Sequence, residues 1–360
     1  MGTMADEPPD EAAEYDYDLP RELIAQEPLP DRDAARLLVA GRGDGRLEHR
    51  HVRDLPDVLR EGDLLVVNDT RVVPARLVGR RAATGGAWEG LYLRTEADGP
   101  FAGAWVLLAR TRGRPAAGER IVLDAPPGPG ATIELVGRGA GGAWLARPET
   151  DEPAEVVLAR VGRVPLPGYI RDGVAAAGDA ERYQTVFARA AGSAAAPTAG
   201  LHFTADLLAR LEARGVRRAT VTLHVGLDTF RPITAPRIDA HPMHTEWCRC
   251  PPETAAAIEA ARARGGRVVA VGTTTMRTLE TAARGGTVTA WEGATDLFIR
   301  PGHRFRAVDA LVTNFHMPRT TLLVLVSAFA SRTLVARAYD EAIRARYRFL
   351  SYGDAMLWLP

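Results

Sequence analysis

From about Val78 to Gly162 the chain carries short apolar runs cut by Gly- and Pro-rich turns, and this texture leaves no room for helical periodicity. The runs are Leu91–Leu93, Trp105–Leu108, Ile121–Leu123, Thr132–Leu135, Trp144–Ala146 and Val156–Leu158. Strands at such close spacing must close on themselves or pair face to face, so the segment predicts a small β-barrel or sandwich. Few titratable groups suited to chemistry fall within it, which makes it a structural or partner-positioning module.

The flanks read differently. Leu64–Asn68 (LLVVN), Ala219–Val225, Arg267–Val271 and Ala307–Val312 are strand-like. Pro252–Arg264, Gly272–Ala283, Thr320–Ser331 and Thr333–Arg346 carry helical patterns. Strands alternating with helices predict a mixed sheet covered on both faces. The expected architecture is therefore α/β. A discontinuous domain with a mixed sheet spans residues 17–77 and 163–360, and the β-barrel of residues 78–162 is inserted in it. Residues 1–16 are acidic, contain proline and are poor in aliphatics, so a disordered tail is expected.

In sheets of this kind ligands bind beyond the carboxyl ends of the strands. That rule gathers Gly226–Phe230, Gly272–Arg277 and Thr313–His316 on one rim. The segment GSAAAPTAGLHFT, Gly192–Thr204, joins the helical pattern of ERYQTVFARA to a helix expected over Thr204–Arg214. Its small residues allow backbone to approach a ligand closely, and Thr204 is placed to cap the helix that Gly215 ends. Such a stretch is either a tight packed loop or a binding loop.

Composition removes several classes of mechanism. Basic and acidic residues number 45 each, so formal charge is zero, and no lysine occurs anywhere. A Schiff-base lysine and an ammonium general base are thereby excluded. Neutrality argues against indiscriminate polyanion binding but leaves a local basic face open. The two cysteines, Cys248 and Cys250, lie too close along one strand to bridge easily. No signal-peptide pattern and no membrane-length apolar run is apparent, so a cytoplasmic location with no membrane partner is expected.

Four constellations carry candidate chemistry. His224 and Asp228, in HVGLDTF, suit proton transfer, although a single histidine at a strand end is more often structural. Gly272–Arg277 offers free N–H groups and threonine hydroxyls to a carboxylate or phosphate, and a capped helix would look the same. It has neither the spacing and lysine of a Walker loop nor GxGxxG. His241, His244, Glu246, Cys248 and Cys250 have the chemistry of metal ligands. A strand would instead set the last four in a line, so no metal is expected and the stretch reads as a polar strand edging the site. Asn314 and His316 suit a polar substrate, and Arg346, Tyr347, Arg348 and Tyr352 mix cations with aromatics as single-stranded nucleic-acid sites do.

Taken in order, NDTRVVPARL, PLPGYI, ERYQTVF, GSAAAPTAGLHFT, TLHVGLDTFRPI, HPMHTEW, VGTTTMRTLE, VDALVTNFHMP and YRFLSYGDAM form a highly specific set. Across Tyr17–Met356 the chain resembles the S-adenosylmethionine:tRNA ribosyltransferase-isomerase family of queuosine biosynthesis. The resemblance implies an α/β domain carrying an inserted β-barrel. It also implies transfer and isomerisation of the ribosyl part of S-adenosylmethionine onto 7-aminomethyl-7-deazaguanine in tRNA. The products would be epoxyqueuosine-tRNA, adenine and methionine. S-adenosylmethionine would be a co-substrate, with no further cofactor, and the protein is expected to act as a monomer. In three places the sequence departs from the family pattern. Asp228 replaces a glycine, Gly168 a proline, and Arg300 and His303 stand where tyrosines are usual. Two other readings therefore stay open: the same donor used on a different amine such as a free deazapurine, or a non-catalytic nucleotide- or RNA-binding module.

On this resemblance a base must remove a ribose C5′ proton made acidic by the sulfonium. The candidates are His202, His224, His244, Glu246 and His316. Pro197, Thr198, Gly200, Gly226, Asp228, Thr229, Gly272, Thr273, Thr274 and Arg277 are expected to hold the donor, with Thr273, Thr274 and Arg277 on its carboxylate. Asn68, Asp69, Thr70, Arg71, Asn314, Arg348 and Tyr352 are expected on the tRNA side.

Overall fold

The computed structural model describes residues 11–125, 128–226, 232–243 and 245–360. It divides into two compact units, one formed by Met1–Arg71 with Gln184–Pro360 and the other by Val72–Tyr183.

The first unit is built on nine strands. Their order is Trp291–Thr295, Glu246–Cys250, Arg217–Leu223, Leu64–Asn68, Val268–Val271, Ala310–Asn314, Ala355–Leu359, Arg36–Gly41 and Leu47–His51. Four adjacent strands, from Arg217–Leu223 to Ala310–Asn314, run parallel, and antiparallel strands flank them on both sides. Leu64–Asn68 is buried at every position, as a strand covered on both faces must be. On one face, Leu65, Val67, Val269, Val271, Val312 and Leu357 pack with Phe203, Leu207 and Leu211. Leu207 and Leu211 come from the helix Ala205–Ala213, whose N–H at Leu207 is capped by Thr204 Oγ1 at 3.1 Å. The helices Pro252–Ala263 and Thr273–Ala282 also pack on the parallel strands.

The helices Thr321–Ala330 and Arg332–Arg344 meet at 113° at Ser331, where φ is +73°. Among the described residues no single helix is long and apolar enough to cross a membrane.

In the second unit the strands Arg76–Arg81, Ala87–Thr95, Trp105–Thr111, Trp144–Pro148, Ala131–Arg138 and Arg120–Leu123 pair in that order. The last returns to the first, which closes a six-stranded barrel. Its interior holds Trp88, Trp105, Leu107, Ile121, Leu123 and Ile133. Gly90 leaves the space that the Trp88 indole fills, since a Cβ there would stand 2.2 Å from Cη2.

Several expectations need correction. The barrel's first strand begins at Arg76 and Gly162–Arg163 pairs with it, so residues 78–162 cut a strand that pairing keeps whole. Val156–Leu158 lies in the helix Ala154–Val161, which buries Val157, Leu158 and Val161. The helical reading of ERYQTVFARA holds only for its first two residues, the end of the helix Asp179–Arg182, and its last residue opens the strand Ala190–Ser193. The expected disordered tail of residues 1–16 is corrected over its described part. Glu11–Tyr15 forms a 3-10 turn that buries Ala12 and Tyr15. The next residue but one, Tyr17, donates its hydroxyl to the His316 carbonyl.

Candidate active site

The strand Leu64–Asn68 has the next strand of the parallel set, Arg217–Leu223, on one side and the one after, Val268–Val271, on the other. The connections diverge at its carboxyl end, which is where a crevice opens in a parallel sheet. Four segments meet there: Asn68–Arg71, Leu223–Gly226, Gly272–Thr274 and Asn314–His316.

Asn68 ties three of them together. Its Oδ1 accepts the N–H groups of Leu223 and Thr70, both at 3.1 Å, and its Nδ2 donates to the Leu223 carbonyl at 3.0 Å and to Thr274 Oγ1 at 3.3 Å. Asp69 accepts from Thr222 Oγ1 at 2.6 Å and from Arg189 at 2.8 Å. Asn68, Asp69 and Thr70 are all buried. Of the four residues expected on the tRNA side of this segment, only Arg71 is exposed. The other three are corrected to scaffold positions, because their polar atoms satisfy neighbouring backbone and side chains.

Gly192–Thr204 folds against this rim. Ser193 Oγ accepts from the Val225 N–H at 2.9 Å and donates to the Ala195 carbonyl at 2.7 Å. Pro197 leads into a 3-10 turn over Thr198–His202. Ala199 stands beside Gly272, 3.7 Å from where a Cβ on that glycine would lie. Gly200 is small for packing, since its Cβ would meet Thr185 at 2.9 Å, and does not leave room for a ligand.

The expected bases separate sharply. His202 is buried, receives the Asn314 amide on Nε2 at 3.2 Å and bonds the Arg32 backbone. Burial pushes its pKa down to about 4; the Arg32 backbone bond opposes this, while the Arg32 and Arg348 charges add to it. With both ring nitrogens engaged, His202 is a structural histidine. Asn314 is equally committed, for Oδ1 accepts from Thr198 Oγ1 at 2.9 Å and Nδ2 also reaches the Leu350 carbonyl. His316 is buried against Thr313 Oγ1 at 2.8 Å, and burial pushes its pKa down to about 3.

Glu246 accepts the Gly226 N–H on Oε1 at 2.8 Å and the Arg277 guanidinium on Oε2. Arg277 donates onward to the carbonyls of Leu297 at 2.8 Å and Thr295 at 3.2 Å. Two expectations are corrected together. Glu246 is a paired carboxylate with both oxygens engaged, and Arg277 is bound to it instead of waiting for a substrate carboxylate.

His224 stands apart. Its ring is half-buried and Nδ1 lies 2.8 Å from Thr70 Oγ1. Trp247 stacks on one face, with centroids 5.1 Å apart and planes 17° off parallel. A Cβ on Gly192 would lie 2.9 Å from Cε1 and Nε2 and 3.0 Å from Cδ2, near-equal distances that place Gly192 over the other face. Burial lowers the pKa of His224 and the Asp69 charge partly opposes this, so the ring is held toward its neutral form. Nε2 has no partner among the described residues.

Among the described residues no side chain caps the N–H groups at the start of the helix Thr273–Ala282. Gly272 adopts φ +91°, and no acidic residue occupies the first turn. Arg348 donates to the Glu27 carbonyl, and burial lowers its pKa. Tyr352 is buried beside Arg32 and His202 in a crevice, so it presents no ring to solvent as a stacking platform. His303 and Glu280 meet at 3.3 Å, which gives one departure from the family pattern a packing role. Asp228, Thr229 and His244 lie outside the described residues. Cys248 and Cys250 are buried, and among the described residues no three metal-ligating side chains converge.

Sequence reasoning did not single out Gly192, Thr222 or Trp247. The first opens the GSAAAPTAGLHFT string and the last closes HPMHTEW, but only strand pairing brings them to His224, whose N–H bonds the Trp247 carbonyl at 3.0 Å.

The chain is similar to known proteins over nearly its whole length. The S-adenosylmethionine:tRNA ribosyltransferase-isomerase of Symbiobacterium thermophilum is 53% identical over 350 residues, covering 96% of this chain and 99% of its own. Its counterpart from Geobacter sulfurreducens is 52% identical over 344 residues, covering 95% and 98%. The crystal structure of an S-adenosylmethionine tRNA ribosyltransferase from Thermotoga maritima superposes with a TM-score of 0.55 at 39% identity, covering 96% of this chain and 100% of that one. The family described as Queuosine biosynthesis protein matches residues 12–358, and the chain belongs to it.

Proposed function

We propose that the protein transfers and isomerises the ribosyl moiety of S-adenosylmethionine onto 7-aminomethyl-7-deazaguanine in tRNA, releasing adenine and methionine. Relatives about half identical over nearly their whole length carry the name of that activity. The observation that carries the reading to particular residues is the meeting of a half-buried histidine and an uncapped helix start at the ends of the parallel strands. S-adenosylmethionine is the co-substrate, and the reaction takes place in the cytoplasm on tRNA.

The methionine carboxylate sits at the start of the helix Thr273–Ala282, where free N–H groups and the helix dipole favour an anion. Thr273 and Thr274 add hydroxyls. Arg277 lines the same cavity, but its charge is offset by Glu246. The loop through Pro197, Thr198 and Ala199 walls the site against water, which matters because the opened sugar would otherwise be hydrolysed. Arg71, the exposed cation at the end of this rim segment, meets the tRNA.

His224 is the general base. Burial favours its neutral form, and among the described residues its Nε2 is unengaged, whereas His202 has both ring nitrogens engaged and His316 is buried. The C5′–H bond breaks, its electron pair stays on carbon beside the sulfonium, and the proton passes to Nε2 of His224.

The test is release of adenine and methionine from S-adenosylmethionine, with and without tRNA bearing the aminomethyl-deazaguanine. Release that requires this tRNA, with mass added at that base, is expected. Release with a free deazapurine only would assign a different acceptor. Tight donor binding without release under either condition would overturn the catalytic reading in favour of a binding module. Replacing His224 by Gln is expected to lower kcat by about 100-fold or more with folding intact.

A further inference from the structure

We infer that Thr70 is a positioning residue: its hydroxyl receives the Nδ1 proton of His224 and so leaves Nε2 as the nitrogen free to accept a proton. The inference rests on the assignment of His224 as the base. It adds which nitrogen acts, and what fixes that choice.

A neutral imidazole carries one proton, and its position is set by the partner of the other nitrogen. Here the partner is a threonine hydroxyl, which has one proton of its own to give. Thr70 Oγ1 lies 2.8 Å from Nδ1 and 3.4 Å from the Ala190 carbonyl. A carbonyl can only accept. When the hydroxyl donates to Ala190, its lone pairs face Nδ1, and the ring must supply the proton between them.

The surroundings hold the hydroxyl oxygen between Nδ1 and the Ala190 carbonyl. Thr70 is wholly buried, and its N–H is bound by Asn68 Oδ1 at 3.1 Å. The Asp69 carbonyl accepts the N–H groups of Arg189 at 2.8 Å and Ala190 at 3.1 Å, which brings the Ala190 segment alongside. The ring itself cannot tilt out of line, because Trp247 covers one face and Gly192 the other. Among the described residues the charged side chain that acts on the ring is Asp69, itself paired with Arg189; Glu246, directly before Trp247 in the chain, is paired with Arg277. Asp69 is itself fixed by Thr222 and Arg189, so it does not compete for Nδ1.

The experiment uses the full-length protein with 15N-labelled histidine. Long-range proton–nitrogen spectra at neutral pH report the tautomer of each ring, and the His224 signals are those lost in His224→Gln. The expected result is a protonated Nδ1 and an unprotonated Nε2 in the unsubstituted protein. Thr70→Ser should keep that tautomer and most of kcat. Thr70→Val should shift it toward Nε2–H and lower kcat about 10- to 100-fold, with KM for S-adenosylmethionine within about twofold. An Nε2–H tautomer in the unsubstituted protein overturns the inference without any variant having to fold. Wild-type kcat in Thr70→Val beside an inactive His224→Gln overturns it while leaving the base in place. Full activity in His224→Gln overturns the assignment beneath it.

Discussion

Glu246 and Arg277 form an ion pair inside the protein, their side chains 4% and 7% exposed. The pair joins the strand Glu246–Cys250 to the helix Thr273–Ala282, and through the Gly226 N–H it also holds the end of the neighbouring strand. Two charges taken out of water in this way are tolerable only together.

Breaking the pair should therefore cost far more than its surface counterparts do. Arg277→Met leaves a buried carboxylate uncompensated and is expected to lower stability by about 3–5 kcal/mol. The double variant Arg277→Met with Glu246→Gln should recover part of that loss, since no lone charge remains. Urea midpoints of the three proteins decide the matter, and a single-variant loss below about 1 kcal/mol would contradict the pairing.

Acid should destabilise the fold through His202 and His316. Burial holds their folded pKa values at about 4 and about 3, below an ordinary histidine value of 6.5. The unfolded chain then binds more protons, so stability is full above pH 6.5 and falls as pH drops toward those lower values. His202 alone accounts for on the order of 3 kcal/mol across that window. Denaturant midpoints at pH 7.5 and pH 5 should differ accordingly, and His202→Asn should flatten the dependence while lowering the plateau.

Gly192→Ala should injure catalysis more than folding. Its φ of +145° strains any other residue, and the new Cβ would meet the His224 ring at 2.9 Å. The backbone cost is about 1–3 kcal/mol. Displacement of the base should lower kcat by at least tenfold, while thermal unfolding moves by a few degrees. Unchanged kcat in a folded variant would mean that the ring does not act where it stands.

The acid limb of kcat/KM should follow the charge on Asp69. His224 must be neutral to act, so activity falls as pH drops through its pKa. Burial lowers that pKa and Asp69 opposes the lowering. Asp69→Asn keeps a hydrogen-bond acceptor for Thr222 and removes the charge. The acid limb should then move to lower pH, and a shift to higher pH would contradict the electrostatic account.

Much of the fold was legible because burial writes itself into pattern. LLVVN at residues 64–68 is apolar on both faces, and the structure covers it on both faces. Turn-rich spacing marked the barrel strands, where the alternation at Ile121 and Leu123 fills an interior. The errors lie where one pattern serves two structures. Val156–Leu158 is a short apolar run that suits strand or helix alike, and it lies in a helix that buries Val157 and Leu158. Glu11–Tyr15 looked too polar to order, yet Tyr15 is buried, its carbonyl accepting the Arg319 N–H at 2.9 Å.

The sequence by itself determined the residue types available to the site, the division into barrel and sheet textures, and the strand ends expected to carry the site. Spacing along a chain carries those, because strand and helix periods are local. Only the tertiary structure decided which candidates were spent on holding the protein together. His202, Glu246, Arg277 and Asn314 have the chemistry of catalytic or binding groups, but each is satisfied by a partner at least 30 residues away. Among the described residues His224 keeps a free nitrogen, and the groups around its ring, Thr70, Gly192 and Trp247, come from three distant segments. Hydrogen-bond satisfaction is a property of the folded neighbourhood, and no reading of local pattern contains it.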